Sequence, residues 1–198
     1  MRIRVAGTAD VDRATETITL AFADDPVWSV ALARSDGSTG HLAGYWRIFV
    51  AAAQAQGGVW LLDGGAAVSV WIPPDGVELD PASTAAFEAL IGQAFSPAEV
   101  ADLLALFERF EANHPRLEPH AYLSLLATHP DHRGKGIGQA LLAENLRGWD
   151  EAGVPAYLES TNPANDHRYE RAGFRAIGGF RAIRDDAPIT TMWRMASR

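Results

Sequence analysis

Apolar positions recur along the chain with two periods, and each switch between them marks an element boundary. Ile3 to Ala6 alternates weakly and predicts a first strand. Val11, Ala14, Ile18, Ala21 and Phe22 then fall at helix spacing. They predict a helix from Val11 to Phe22, capped by Thr8 or Asp10 and stopped by Asp24-Asp25-Pro26. A short helical piece over Val27 to Leu32 and a flexible tract over Ser35 to Gly40 come next. Leu42 to Gln56 carries Trp46, Phe49, Val50 and Ala53 on one helical stripe and ends at Gly57-Gly58. The period then drops to two. Val59 to Asp63 and Ala66 to Ile72 predict a hairpin turned at Asp63-Gly64-Gly65. Its second strand puts Ala67, Ser69 and Trp71 on one face and Val68, Val70 and Ile72 on the other. Two helices follow, Ser83 to Gly92 and Ser96 or Pro97 to Asn113. Tyr122 to Leu126 is a short apolar run set between Pro119 and Pro130 and reads as a buried central strand. After it come a helix ending near Asp150, a strand over Val154 to Ser160 and a short helix over Ala164 to Ala172. Phe174 to Ile183, with a bulge at Gly178-Gly179, and Ile189 to Met195 are the last strands. The pattern is an α/β domain with a mixed sheet of about seven strands and helices on both faces.

The densest local signal is the turn after the central strand. Arg133-Gly134-Lys135-Gly136-Ile137-Gly138 packs three glycines into five residues and runs into a helix at Gln139. The first turn of a helix has N–H groups without intrahelical partners, at the positive end of the helix dipole. Glycines leave that backbone open to a bulky anion, and Arg133 and Lys135 add charge. This combination predicts a phosphate or pyrophosphate site. It is not the phosphate loop of nucleotide hydrolases, because Gln139-Ala140 stands where Lys-Ser or Lys-Thr is needed. The dinucleotide pattern G-x-G-x-x-G fails from Gly134, where Gln139 takes the last place, and from Gly136, where Leu141 does.

Arg-x-x-Gly-x-Gly, at Arg133, Gly136 and Gly138, resembles the coenzyme A pyrophosphate loop of the GNAT superfamily of N-acetyltransferases. Ala156 to Ser160 resembles that superfamily's fifth strand, and Asn165 to Phe174 its Asn-…-Tyr-Glu-x-x-Gly-Phe helix and exit. Phe22 to Pro26, Ala66 to Trp71, Tyr157 to Ser160 and Tyr169 to Phe174 resemble the actinobacterial branch that includes puromycin N-acetyltransferase. The resemblance implies a single GNAT domain over residues 1–198, with a mostly antiparallel sheet and a splayed central strand pair. Residues 1–118 would be the acceptor-side half and 119–198 the acetyl-CoA-binding half.

It also implies roles. Backbone groups of Leu126, Ala127 and Thr128 would meet the pantetheine arm and thioester of acetyl-CoA. Family members often carry Val in the place of Thr128, a change that leaves a backbone contact intact. The N–H groups of Arg133, Gly134, Lys135, Gly136, Ile137 and Gly138 would hold the pyrophosphate. Asn162 or Asn165 would bond the pantetheine, with Asn165 preferred. Tyr169, one helical turn beyond Asn165, would protonate the leaving thiolate, which suits the collapse of a tetrahedral oxyanion. Glu159 is the leading candidate for the base that deprotonates the acceptor, against the alternative of a carboxylate paired with a neighbouring Arg. His120, Asp24 and Asp25 would bound the acceptor, as would Trp28 and Trp71. His129 and His132 are expected to be exposed loop residues. The reaction class is acyl transfer of groups other than aminoacyl, to a primary amine of a small molecule.

Composition narrows the field. A net charge of −8 without a basic run argues against nucleic acid as partner. There is no cysteine, so an acyl-cysteine route, a disulfide framework and a cysteine metal site are excluded. His41, His114 and His167 lack metal-ligand spacing, and no metal is expected. No apolar run is long enough for a bilayer, and the start does not read as a signal peptide. The expectation is a cytoplasmic enzyme with no membrane partner, and the resemblance adds a homodimer as an assembly to test. The competing readings are an acyl-CoA-binding GNAT module without turnover and a dinucleotide or ATP enzyme.

Overall fold

The computed structural model describes residues 1–197. Seven strands form one sheet: β1 (Ile3–Val5), β2 (Val59–Leu62), β3 (Ala67–Ile72), β4 (Ala121–Thr128), β5 (Ala156–Ser160), β6 (Arg175–Arg181) and β7 (Pro188–Arg194). Their order is β1-β2-β3-β4-β5-β7-β6. All neighbours are antiparallel except β4 and β5. The helices are α1 (Val11–Phe22), α2 (Trp28–Ala31), α3 (Leu42–Ala55), α4 (Pro81–Ala94), α5 (Pro97–Asn113), α6 (Ile137–Glu151) and α7 (Asp166–Arg171). Among the described residues, no helix is long and apolar enough to cross a membrane.

β3 explains the layering. All six of its residues are buried, because both sheet faces are covered. Val68, Val70 and Ile72 enter one core with Ile18 of α1, Phe49 and Val50 of α3, and Leu103 and Leu106 of α5. On the other face, Trp71 packs with Leu142 and Leu146 of α6, and Ala67 with Leu141. Ser69 stays polar on that face because its hydroxyl donates to Asn145 Oδ1 of α6 at 2.7 Å, which also accepts from Trp71 Nε1 at 3.0 Å. Trp71 is therefore removed from any acceptor pocket, contrary to the expectation from sequence. It is 1 % exposed and lies on the α6 face, tilted against Trp149.

Helix ends follow their cap chemistry. Ser96 and Glu99 form a reciprocal capping box at α5, with Pro97 in the first turn. Asp80 accepts from Ser83 N–H and Pro81 opens α4, so that helix begins two residues before the Ser83 start read from sequence. Asp10 does not cap α1 with its side chain. Instead a 3-10 turn over Thr8–Asp10 precedes the helix, and Asp10 turns back to accept from Gly7 N–H and the Arg4 guanidinium. Those two bonds hold its pKa down at about 2.

Two irregularities shape the centre of the sheet. Val70 pairs with Leu125 and Trp71 with Leu123, so Ser124 bulges out of β4 without a partner on β3. β4 and β5 pair only at Ala121–Ala156 and Tyr122–Tyr157, the start of both strands. Beyond those two pairs they separate, and the remainder of each strand borders a cleft.

Candidate active site

The cleft encloses about 670 Å³ between the diverging ends of β4 and β5. One end is built by the glycine loop. Gly134 and Gly136 have φ of +77° and +72°, the left-handed region that glycine enters without cost. A Cβ at either would meet no atom within 4 Å, so their need for glycine is conformational. Gly138 is required for a different reason: a Cβ there would stand 2.6 Å from Thr128 Oγ1. The turn thus presses α6 against the end of β4. Among the described residues, the N–H groups of Gly134 to Gln139 have no hydrogen-bond acceptor, and the first helical bond is Ala140 N–H to Gly136 O at 3.0 Å. Six consecutive donors at the N-terminus of a 15-residue helix suit a diphosphate. That observation fits the pyrophosphate of a coenzyme A thioester to the residues present.

The expected coenzyme residues do not all reach the cleft. Leu126, Thr128, Arg133, Gly134, Gly136, Ile137, Gly138, Asn162 and Asn165 line it. Ala127 is 1 % exposed and its side chain belongs to the core, with Val68 as its partner on β3. Lys135 folds back, its Nζ donating to Asp131 O at 2.9 Å. Arg133 spans toward α1, donating to Ala21 O at 3.1 Å. Asn162 caps the 3-10 turn Pro163–Asn165 by accepting from Ala164 N–H, while Asn165 Oδ1 accepts from Arg168. His129 and His132 are half-buried, and His132 lines the cleft.

Tyr169 enters the cleft from α7. Asp166, at the start of α7, accepts from Ser160 Oγ of β5 at 2.6 Å and from Thr190 Oγ1 of β7 at 3.0 Å. Those bonds fix the short helix on the sheet. Phe174 is buried at its exit and meets the Tyr169 ring edge-on. The Tyr169 hydroxyl has no hydrogen-bond partner among the described residues. Its pKa is pushed up to about 12, first by burial, then by the charges of Asp25 and Asp166, with Arg168 opposing. The hydroxyl therefore keeps its proton at neutral pH and is a donor. Asp25 caps α2 through Val27 and Trp28 N–H at 3.0 Å each and accepts from Thr161 Oγ1 at 2.8 Å. It ties the α1–α2 corner to the end of β5, and burial raises its own pKa.

Glu159 sits deeper, on the β5 face opposite α6. Its side chain is 2 % exposed, and neither carboxyl oxygen has a hydrogen-bond partner at normal distance. Among the described residues, no Arg pairs with it. Its neighbour is His114 Nδ1 at 3.6 Å, and its charge helps hold the protons of Tyr122 and Tyr157, whose pKa values rise mainly through burial. His114 Nε2 lies 3.0 Å from His120 Nε2, and His120 Nδ1 lies 2.8 Å from Glu118 O. Burial lowers the His120 pKa, so that ring is neutral near pH 7. A half-exposed His114 thus connects a sealed carboxylate to the surface.

Two groups on this site were missed in the sequence. Glu78, after β3, lines the cleft and accepts from Ser124 Oγ at 2.7 Å. Burial and the nearby Glu159 raise its pKa. The other is His114, which arrives from the C-terminal end of α5. Neither has a neighbouring motif to announce it: Glu78 is drawn in by its bond to the bulged Ser124, and His114 packs edge-on against Tyr122 and Tyr157. Among the described residues, no group of three His, Cys, Asp or Glu forms a metal site.

Residues 99–176 match the family model of the acetyltransferase (GNAT) domain. The fold is the GNAT fold. The chain superposes on the structure of histone acetyltransferase HPA2 and related acetyltransferase from Corynebacterium glutamicum with a TM-score of 0.71. Identity is 24 %, over 99 % of this chain and 96 % of that one. Arylalkylamine N-acetyltransferase 2 from Aedes aegypti superposes with a TM-score of 0.67 at 12 % identity, over 99 % of each chain. In sequence, a mycothiol acetyltransferase from Propionibacterium freudenreichii subsp. shermanii is 40 % identical over 62 residues. That stretch is 30 % of this chain and spans only 20 % of the relative.

Proposed function

We propose that the chain is an acetyl-CoA-dependent N-acetyltransferase that moves an acetyl group to a primary amine of a small molecule by direct attack. The observation that carries this is a shared cleft: unpaired N–H groups at its glycine-loop end, with a proton-bearing Tyr169 and Glu159 lining the same space. The match of residues 99–176 to an acetyltransferase domain supports it.

The bound thioester supplies an activated acetyl carbonyl, and the chain does the rest. The glycine loop binds the diphosphate through backbone donors. The unpaired rims of β4 and β5 flank the extended arm. Glu159 takes the ammonium proton, leaving an uncharged nitrogen to form the new C–N bond. Tyr169 gives its proton to sulfur as the C–S bond breaks, and the second proton that the nitrogen releases as the amide forms returns through solvent to the tyrosinate. His114 passes the proton from Glu159 to solvent, which regenerates the base. The rim formed by Phe22 to Pro26, part of the likeness to the puromycin N-acetyltransferase branch, borders the amine's entry.

The test is Tyr169→Phe, assayed for acetyl-CoA binding and for thiol release with a panel of amines. Binding within about twofold of wild type with turnover lost by about 10³-fold supports the acid role. Coenzyme binding without turnover of any amine by the unaltered protein would instead mark an acyl-CoA-binding module.

A further inference from the structure

The acceptor end of the cleft differs chemically from the loop end. The cations that line the cleft among the described residues are Arg133, Arg168 and Arg171, all from the glycine loop and α7. The far wall is aromatic. Phe22, Trp28, Phe107 and Phe110 line it, each half-buried, with Trp28 stacked on Phe110 at 5.7 Å and 10°. At the floor, the Tyr45 hydroxyl is buried in a residue 0 % exposed and has no hydrogen-bond partner. The Glu159 oxygens, in the same cleft, are likewise unpartnered. Glu78 stands with them, held by Ser124.

A buried carboxylate without a hydrogen-bond partner, as at Glu159, is costly, and the nearby Glu78 adds to that cost. A ligand carrying one positive charge relieves both. The rings above favour an apolar or aromatic body and attract a cation through their faces. A sugar-like amine would set most of its hydroxyls against ring faces, and an n-alkyl amine would leave those faces uncovered.

We infer that the acceptor is a primary amine on an aromatic body, its ring against Trp28 and Phe110 and its ammonium seated on Glu78 beside Glu159. This rests on the acetyltransferase reading above and names its substrate class. Glu78 holds the charge and selects the amine; Glu159 takes the proton.

The test is isothermal titration of the full chain with 2-phenylethylamine, 2-phenylethanol, n-butylamine and glucosamine. The first is expected to bind at least about tenfold tighter than each of the others. Glu78→Gln, which keeps shape and loses charge, should reduce its advantage over the alcohol to less than about twofold. Equal or tighter binding of n-butylamine or glucosamine overturns the assignment, as does undiminished discrimination by Glu78→Gln. The ligand series on the unaltered protein stands even if the variant does not fold. A parallel titration with acetyl-CoA separates the two claims. Coenzyme binding with better acetylation of glucosamine sinks the substrate class and leaves the transferase. Phenylethylamine binding without coenzyme binding keeps the pocket and sinks the transferase.

Discussion

The two ends of the cleft are made in opposite ways. The coenzyme end is local: a strand end, a six-residue turn and a helix start, contiguous from Leu126 to Gly138, with Asn162 to Tyr169 added from one later turn. It offers main-chain donors, so on the proposed reading side-chain identity matters chiefly where glycine is required. The acceptor end is assembled from α1, α2, α3, α5, β4, β5 and the segment after β3, and it works through side chains. Phe22, Glu78, Phe110 and Glu159 are far apart in the chain and share no spacing. A backbone site leaves a compact trace in sequence, whereas a side-chain pocket at the junction of several elements leaves almost none.

Breaking each end should therefore give a distinct signature. The largest effect is expected at the junction between them. Tyr169→Phe should lower kcat by about 10³-fold with coenzyme affinity unchanged, measured by thiol release under saturating acetyl-CoA. Next is Glu159→Gln, which should lower kcat by about 10²-fold and be rescued in part at high pH, where more free amine is present. A loss confined to the coenzyme KM would assign Glu159 to the wrong end.

The pH profile sharpens the same contrast. Tyr169 has its pKa pushed up to about 12, so its proton is retained throughout the neutral and mildly alkaline range. The alkaline limb of kcat due to this residue should lie near that value, with kcat flat between pH 8 and about 10. A limb near pH 9 that disappears in Tyr169→Phe would contradict the assignment of the raised pKa.

The smallest effect is on stability, away from both ends of the cleft. Arg194 of β7 grips Asp150 at the end of α6 through two bonds of 2.7 Å, and also donates to Ala172 O. Arg194→Met should cost about 2–4 kcal/mol in urea unfolding. Arg194 holds the Asp150 carboxyl below its ordinary range, so the folded state binds that proton more weakly than the unfolded chain. The contribution is full above the ordinary carboxylate value and is lost as pH falls through the lower folded one. The stability gap between wild type and variant should narrow as pH drops from about 5 to about 2. A gap independent of pH would show that packing, not charge, carries it.

The order of strands and helices was legible because most faces are cleanly patterned. α1 runs from Val11 to Phe22 as read, and the bulge expected at Gly178-Gly179 falls just before them, at Ile177 between Ala176 and Gly178. β3 was harder, since alternation identified its two faces but could not say that both are covered; hence Trp71 was misplaced. The glycine loop was legible as a turn with open N–H donors at a helix start, yet the reason for each glycine was not. Gly138 is explained only by Thr128, ten residues away across the turn. Glu78 and His114 were illegible because tertiary contacts bring them in, Glu78 through the bulged Ser124 and His114 through the Tyr122 and Tyr157 rings.

The most direct measurement is titration of the folded protein with acetyl-CoA, repeated on Gly136→Val. The account predicts binding by the first and at least about a hundredfold weaker binding by the second, because a β-branched residue resists the left-handed turn that aims the N–H donors. No binding by a folded wild-type protein, or equal binding by both, would contradict the claim that this loop holds the coenzyme.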